Sequence, residues 1–265
     1  MTEKRPIALI TGASAGIGVA LARTFAAHGH ELVLVARREP PLVALADEIA
    51  ATGRKRPLTL PFDIAALDAA ARLGQALAVA SLEPSFVVNN AGFGLVGGAG
   101  SLDRAEQLAM IDLNVRSLTD LSLAFLPSVI AHRGGILNVA SVAAFLPGPG
   151  MAVYYATKAY VLSFTEALHS ELQPTGVRVT ALCPGPVPTE FQARAGLRHE
   201  RGQGLLTLSA ARVAEIGYRG FMQGRPLVVP GFLNKVVILL PRLLPRAVVL
   251  RLMGIRKQNR DVLKT

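Results

Sequence analysis

Short runs of apolar, often β-branched residues alternate along this chain with longer stretches in which apolar positions recur every three or four residues. The short runs are residues 7–10, 31–36, 57–62, 86–88, 135–139, 177–182 and 227–229. Most are continuously hydrophobic rather than alternating, the pattern of strands covered on both faces. The helical stretches, residues 17–28, 41–52, 65–80, 103–130, 154–172 and 209–222, fall between them. Such alternation predicts an α/β single-domain Rossmann fold, a doubly wound parallel seven-stranded sheet with helices on both faces. Right-handed crossovers would put the ligand crevice at the carboxyl ends of the strands. The domain is expected to span residues 1–231, ahead of a basic amphipathic extension at 232–265.

Charge sharpens that division. The net charge is +10, yet residues 219–265 hold ten Lys and Arg against one acid, Asp261, a balance of +9. The preceding 218 residues are nearly neutral, with 18 basic and 17 acidic side chains. Basicity therefore belongs to the tail and not to the body. The tail shows no aromatic after Phe232, against single-stranded nucleic acid as its partner. Two apolar pieces, 234–240 and 246–253, are flanked by cations. They suit packing on the body or over the cleft, contact with another subunit, or a membrane surface.

Mean hydropathy is +0.41, but no uncharged apolar run reaches the length of a membrane span. The first residues carry no leader-like apolar core, and a lone cysteine, Cys183, fits a reducing compartment. A cytoplasmic protein, possible at the membrane periphery through residues 232–265, is expected. The histidines (His28, His30, His132, His169, His199) have no zinc-like spacing, so no metal is expected. Cys183 reads as a small buried hydrophobe.

Candidate chemistry begins after the first strand, at Thr11-Gly12-Ala13-Ser14-Ala15-Gly16-Ile17-Gly18. Glycines there permit a sharp turn and close approach of backbone to a pyrophosphate, which the following helix N-terminus would hold. The second strand ends in Ala36-Arg37-Arg38, where an NAD site usually carries an acid. Two guanidinium groups instead match the extra phosphate of NADP(H). Tyr154 and Lys158, four residues apart, share one helix face. An ammonium and an oxidised nicotinamide nearby would lower the phenol pKa. Taken alone the pair could equally be an exposed helix pair. Ser141, just past the fifth strand, could hydrogen-bond a substrate oxygen or simply cap a turn.

Taken together and in this order, the motifs resemble those of the short-chain dehydrogenase/reductase family over residues 6 to about 230. They are Thr11-Gly12-x-x-x-Gly16-x-Gly18, Asn89-Asn90-Ala91-Gly92, Asn114, Ser141, Tyr154-x-x-x-Lys158 and Pro184-Gly185 with Thr189. The resemblance implies an NADPH-dependent oxidoreductase interconverting a carbonyl and an alcohol, with Tyr154 as general acid or base. Lys158 would bind the nicotinamide ribose and depress the tyrosine pKa, and Ser141 would polarise the carbonyl. Asn114 would bend its helix and hold a water linking Lys158 to solvent. Asp63 would bond the adenine amine, and Asn90, Ala91 and Gly92 would line the adenosine side. Pro184, Gly185, Val187 and Thr189 would close over the nicotinamide. A lid is expected at about 189–210. Phe93, Leu95, Phe145, Leu146 and Phe191 would form an apolar pocket for a hydrophobic small-molecule carbonyl or alcohol. The resemblance further implies a homodimer or homotetramer. A dinucleotide-binding sensor without turnover is the alternative on the same fold. One departure is Ser85, where the family often has an acid.

Overall fold

β1 (Arg5–Thr11) enters the middle of the sheet with its last five residues buried, as a strand with helices on both sides must be. The computed structural model describes residues 4–196, 204–245, 247–251 and 253–254. Alternate β1 side chains serve two cores. Ala8 and Ile10 meet Leu34, Phe86 and Val88 beneath α1 (Gly16–Ala27) and α9 (Ala210–Met222). Ile7 and Leu9 meet Val33, Val87 and Ile136 beneath α3 (Ala69–Val79), α5 (Leu118–Ala124) and α7 (Ala152–Leu172).

The sheet is wholly parallel, in the order β3-β2-β1-β4-β5-β6-β7. Its other strands are β2 (Leu32–Ala36), β3 (Leu58–Pro61), β4 (Leu82–Asn89), β5 (Gly135–Val139), β6 (Arg178–Leu182) and β7 (Leu227–Val228). The doubly wound seven-stranded fold is therefore the one expected. Chain order reverses beside β1 and β4, which opens the crevice at their carboxyl ends. An edge-on cluster of Phe25 with Tyr218 (4.9 Å between centroids) and Phe86 with Phe221 (5.7 Å) pins α1 and α9 to the sheet. Each such pair adds about 0.5–1.5 kcal/mol beyond its burial.

Several boundaries differ from expectation. β4 starts at Leu82, four residues before the expected 86, and includes Pro84. Ile7 pairs with Pro84 and Ala8 with Phe86, so Ser85 is an extra residue in a bulge. The bulge accommodates a proline without a donor. The Ser85 hydroxyl donates to the Ile7 carbonyl at 3.1 Å, so a neutral group anchors β4 to β1. The stretch 65–80 becomes helical only from Ala69; Asp63 instead caps a turn, accepting from the Ala65 N–H at 3.0 Å.

The single helix expected over 103–130 is three α-helices and a π-helical segment. α4 (Arg104–Ile111), capped by Asp103, runs into a π-helical segment, Asp112–Ser117, and then α5. There the Ser117 hydroxyl donates to the Asp112 carbonyl five residues back, at 2.8 Å. Pro127, lacking an N–H, sits in the first turn of α6 (Leu126–Ala131) and ends α5 before it. α2 (Glu39–Ala51) starts slightly earlier than expected, and α8 (Glu190–Arg194) lies in the stretch expected to form a lid. In the tail, α10 (Phe232–Leu243) is followed by helical residues 247–251. Among the described residues, no helix is long and apolar enough to cross a membrane.

Candidate functional site

A cleft of about 2430 Å³ opens at the carboxyl ends of the strands. Gly12, Ser14, Ala15, Gly16, Ile17, Arg37, Arg38, Asp63, Asn90, Ala91, Gly92, Ser141, Tyr154, Lys158, Pro184, Gly185, Val187 and Thr189 all line it. Gly18 and Asn114, singled out with them, stand behind its wall as supports.

The turn from β1 to α1 is held from β4. Thr11 Oγ1 accepts from the Asn90 and Ala91 N–H groups at 3.0 and 3.1 Å. Asn90 Nδ2 donates to the Thr11 and Gly12 carbonyls at 2.9 and 3.2 Å. No acid stands in the first turn of α1 and no side chain caps it, so its partial positive charge is left for an anion. Asn89 is the structural member of the asparagine pair. Its amide donates to Ser122 Oγ and Asn138 Oδ1, both at 2.9 Å, and Asn138 passes the chain to Thr165 at 3.0 Å.

Arg38, at the start of the loop after β2, pairs with Glu190 of α8 at 2.7 Å. Both groups are about half exposed, so the pair contributes little stability. Arg194, also on α8, stacks its guanidinium on Phe93 at 4.5 Å. Burial, with Arg37 and Arg38 nearby, lowers its pKa. The extended glycine turn, the free helix end and the guanidinium pair fit a dinucleotide with an additional ribose phosphate.

Deeper in, α7 carries Tyr154 and Lys158 past the end of β5. Both are buried, which excludes an exposed helix pair. Burial raises Tyr154 to about 12, with a hydrogen bond from Ser141 pulling the other way. The lowering expected from Lys158 is not among the influences on Tyr154 in the protein alone. Burial likewise pushes Lys158 down to about 8. Its Nζ donates to the Val139 carbonyl at 2.8 Å and lies 5.9 Å from the Tyr154 ring centroid. Ser141 accepts from the Ala143 N–H at 3.1 Å, starting a 3₁₀ turn. It both caps and faces the cleft.

Asn114 lies in the π-helical segment, 1% exposed. Its Oδ1 accepts from the Phe93 N–H at 3.1 Å, and its Nδ2 donates to the Phe93 carbonyl at 2.9 Å and to Thr157 at 3.2 Å. Thr157 in turn donates to the Tyr154 carbonyl at 2.7 Å. The side chain thus clamps the loop after β4 onto α7. Asn114→Ala is expected to cost about 1–3 kcal/mol, because it strands a buried main-chain pair. Urea unfolding measures that loss.

Of the expected apolar pocket, Phe93, Leu95, Leu146 and Phe191 line the cleft, whereas Phe145 packs with the Val161, Leu162 and Ile238 cluster behind it. Packing of the tail over the cleft was one of the alternatives open in the sequence, but not which of its residues reach the wall. Leu233, Asn234, Val237 and Met253 form part of the wall. Asn234, 2% exposed, donates to the Pro230 carbonyl at 2.8 Å and the Leu206 carbonyl at 3.2 Å. A lone amide within an apolar run was the available signal. Cys183 is fully buried and its pKa is raised to about 12 by burial, as befits an inert thiol. His199 and lid residues 197–203 lie outside the described residues, as do tail residues 246, 252 and 255–265.

A model of the short chain dehydrogenase family matches residues 6–199. A sulfoacetaldehyde reductase of Chromohalobacter salexigens is 42% identical over 188 residues, 70% of this chain and 74% of that protein. An NADP-dependent 3-hydroxy acid dehydrogenase of Salmonella typhi is 36% identical over 190 residues, 71% of this chain and 75% of that one. The structure of a short-chain dehydrogenase from Sphingobium yanoikuyae in complex with NADPH superposes with a TM-score of 0.77 at 32% identity. That match covers 97% of this chain and 95% of the other. The chain is a member of the short-chain dehydrogenase/reductase family of oxidoreductases.

Proposed function

We propose that this protein is an NADP(H)-dependent oxidoreductase that interconverts a carbonyl and an alcohol, with Tyr154 as the proton-transfer group. The observation that carries this reading is the convergence of buried Tyr154 and Lys158 with half-buried Ser141 on a cleft whose glycine turn could cradle a dinucleotide. Bound NADPH supplies the hydride. Ser141 Oγ holds and polarises the carbonyl oxygen, and Tyr154 Oη donates the proton to that oxygen as it becomes a hydroxyl. Lys158 Nζ places a positive charge beside the phenol that favours its transient ionisation. Pro184, Gly185, Val187 and Thr189, with Asn90, Ala91 and Gly92, shape the walls that position the dinucleotide. Asp63, which lines the same cleft, would bond the adenine amine.

Arg37 and Arg38 would meet the additional phosphate. Arg38→Ala is expected to weaken NADPH binding by roughly 10–100-fold, the worth of one charge-assisted hydrogen bond. NADH binding should change little, and titration of both nucleotides by fluorescence checks the difference. Glu190→Gln, which releases Arg38, should tighten NADPH by no more than about fivefold, the scale of an exposed ion pair.

The apolar wall of Phe93, Leu95, Leu146, Phe191, Leu233 and Val237 supports a hydrophobic carbonyl compound as substrate. A second reading, a small carbonyl compound bearing a sulfonate or carboxylate, is favoured by the Arg194 guanidinium on Phe93. NADPH consumption over apolar ketones, aldehydes and 3-oxoacyl thioesters, against sulfoacetaldehyde and 3-oxo acids, separates the two. NADPH binding without turnover on any of them would favour the sensor instead.

A further inference from the structure

Helix α10 has an inner and an outer face. Asn234 and Val237 line the cleft and Ile238 packs on the core behind it. The outer face carries Phe232, Val236 and Leu239, 78%, 45% and 54% exposed. Steps of four and three residues set these side chains in one stripe along the helix. Leu205, 90% exposed, stands at the cleft mouth next to Leu206, whose carbonyl is bonded by Asn234. Val248 and Leu250 are exposed in the following helical stretch. Uncovered apolar side chains thus run along the outside of the helix whose inner face walls the cleft, in a segment whose charge from residue 219 onward is +9.

We propose that this face docks on an anionic phospholipid surface, with α10 lying in the interface and the cleft mouth turned toward the lipid. The proposal is independent of the reaction assigned above. Charge selects the occupant. A second copy would bring an equally cationic tail, of seven arginines and three lysines, against this one, and like charges set face to face disfavour that pairing. Anionic headgroups instead complement the charge while the acyl boundary receives Phe232, Val236 and Leu239. Lys235 and Arg251, both exposed, can reach headgroups on long apolar stems.

The test is co-sedimentation of the full chain with phosphatidylglycerol/phosphatidylcholine vesicles and with pure phosphatidylcholine vesicles. At least about tenfold stronger partition to the anionic vesicles is expected, lost at high salt because screening removes the attraction. The triple variant Phe232→Ser, Val236→Ser, Leu239→Ser should lose about tenfold of that binding, the scale set by the buried apolar area. Its thermal melt and elution volume should match the parent. Charge variants Lys235→Gln and Arg251→Gln provide a second series that spares the apolar face. Equal partition to both vesicle types, or undiminished binding by the triple variant, overturns the proposal. So does a parent oligomer that the triple variant dissociates, which would assign the face to a second copy.

Discussion

Tyr154→Phe is expected to lower kcat for carbonyl reduction by about 10²–10⁴-fold, the range associated with a positioned general acid, while leaving the fold and NADPH affinity unchanged. The ring packs against Tyr155 and Phe191, at 6.1 and 5.5 Å between centroids, and phenylalanine keeps both contacts. What disappears is the hydroxyl. Burial sets its pKa at about 12, so it carries its proton throughout the neutral range and can serve as an acid there. Lys158 loses its proton near 8. Reductive kcat/KM should therefore stay level below about pH 8 and decline above it, and Lys158→Arg should remove that decline by keeping the charge. The same titration acts oppositely on stability. Between about 8 and the ordinary value of 10.5 the unfolded chain holds the proton and the folded one does not. The Lys158 contribution to stability consequently rises with pH across that window. A pH–rate profile beside a pH–melting profile reads both signs. A Tyr154→Phe protein with full turnover would remove Tyr154 from the chemistry.

The strands were legible because burial on both faces writes itself as unbroken apolar runs, and the glycine turn because its position between β1 and α1 left few other purposes. Pro84 concealed the first half of β4, since a proline argues against a strand until a bulge is known to absorb it. The breaks within 103–130 were half legible. Pro127 marks one; the π-helical turn around Asn114 has no periodicity of its own and was signalled only by the bend that the resemblance implies there, while its clamp on Phe93, 21 residues away, was hidden. The site residues were legible as types and order, not as electrostatics. Tyr154 and Lys158 each shift toward their own neutral form because both are desolvated, a property of the packed cleft and not of their spacing. Distance in sequence hid the remaining contacts. Arg38 meets Glu190 across 152 residues, and the tail returns to wall the cleft through Asn234.

The same substitution, glycine to alanine, is expected to have opposite consequences at two helical positions. At Gly18, in the first turn of α1, a β-carbon would lie 2.2 Å from the Gly12 carbonyl oxygen and 2.5 Å from Asn90 Nδ2. The oxygen belongs to the turn proposed to hold the dinucleotide, and Asn90 is the amide that fixes that turn. Neither can give way without reshaping the cradle. Gly18→Ala should cost about 1–3 kcal/mol, as overpacking does, and weaken NADPH binding by at least about tenfold because the donors of the turn move. At Gly74, within α3, a β-carbon would meet only Phe125, at 4.0 Å, an ordinary contact. Gly74→Ala should therefore stabilise the protein by about 0.5–1 kcal/mol, as helix interiors generally respond to losing a glycine, with NADPH affinity unaltered. Urea unfolding and NADPH titration on the two variants read the contrast. If both variants bind NADPH like the parent, the cradle does not depend on close packing of α1 against the Gly12 carbonyl.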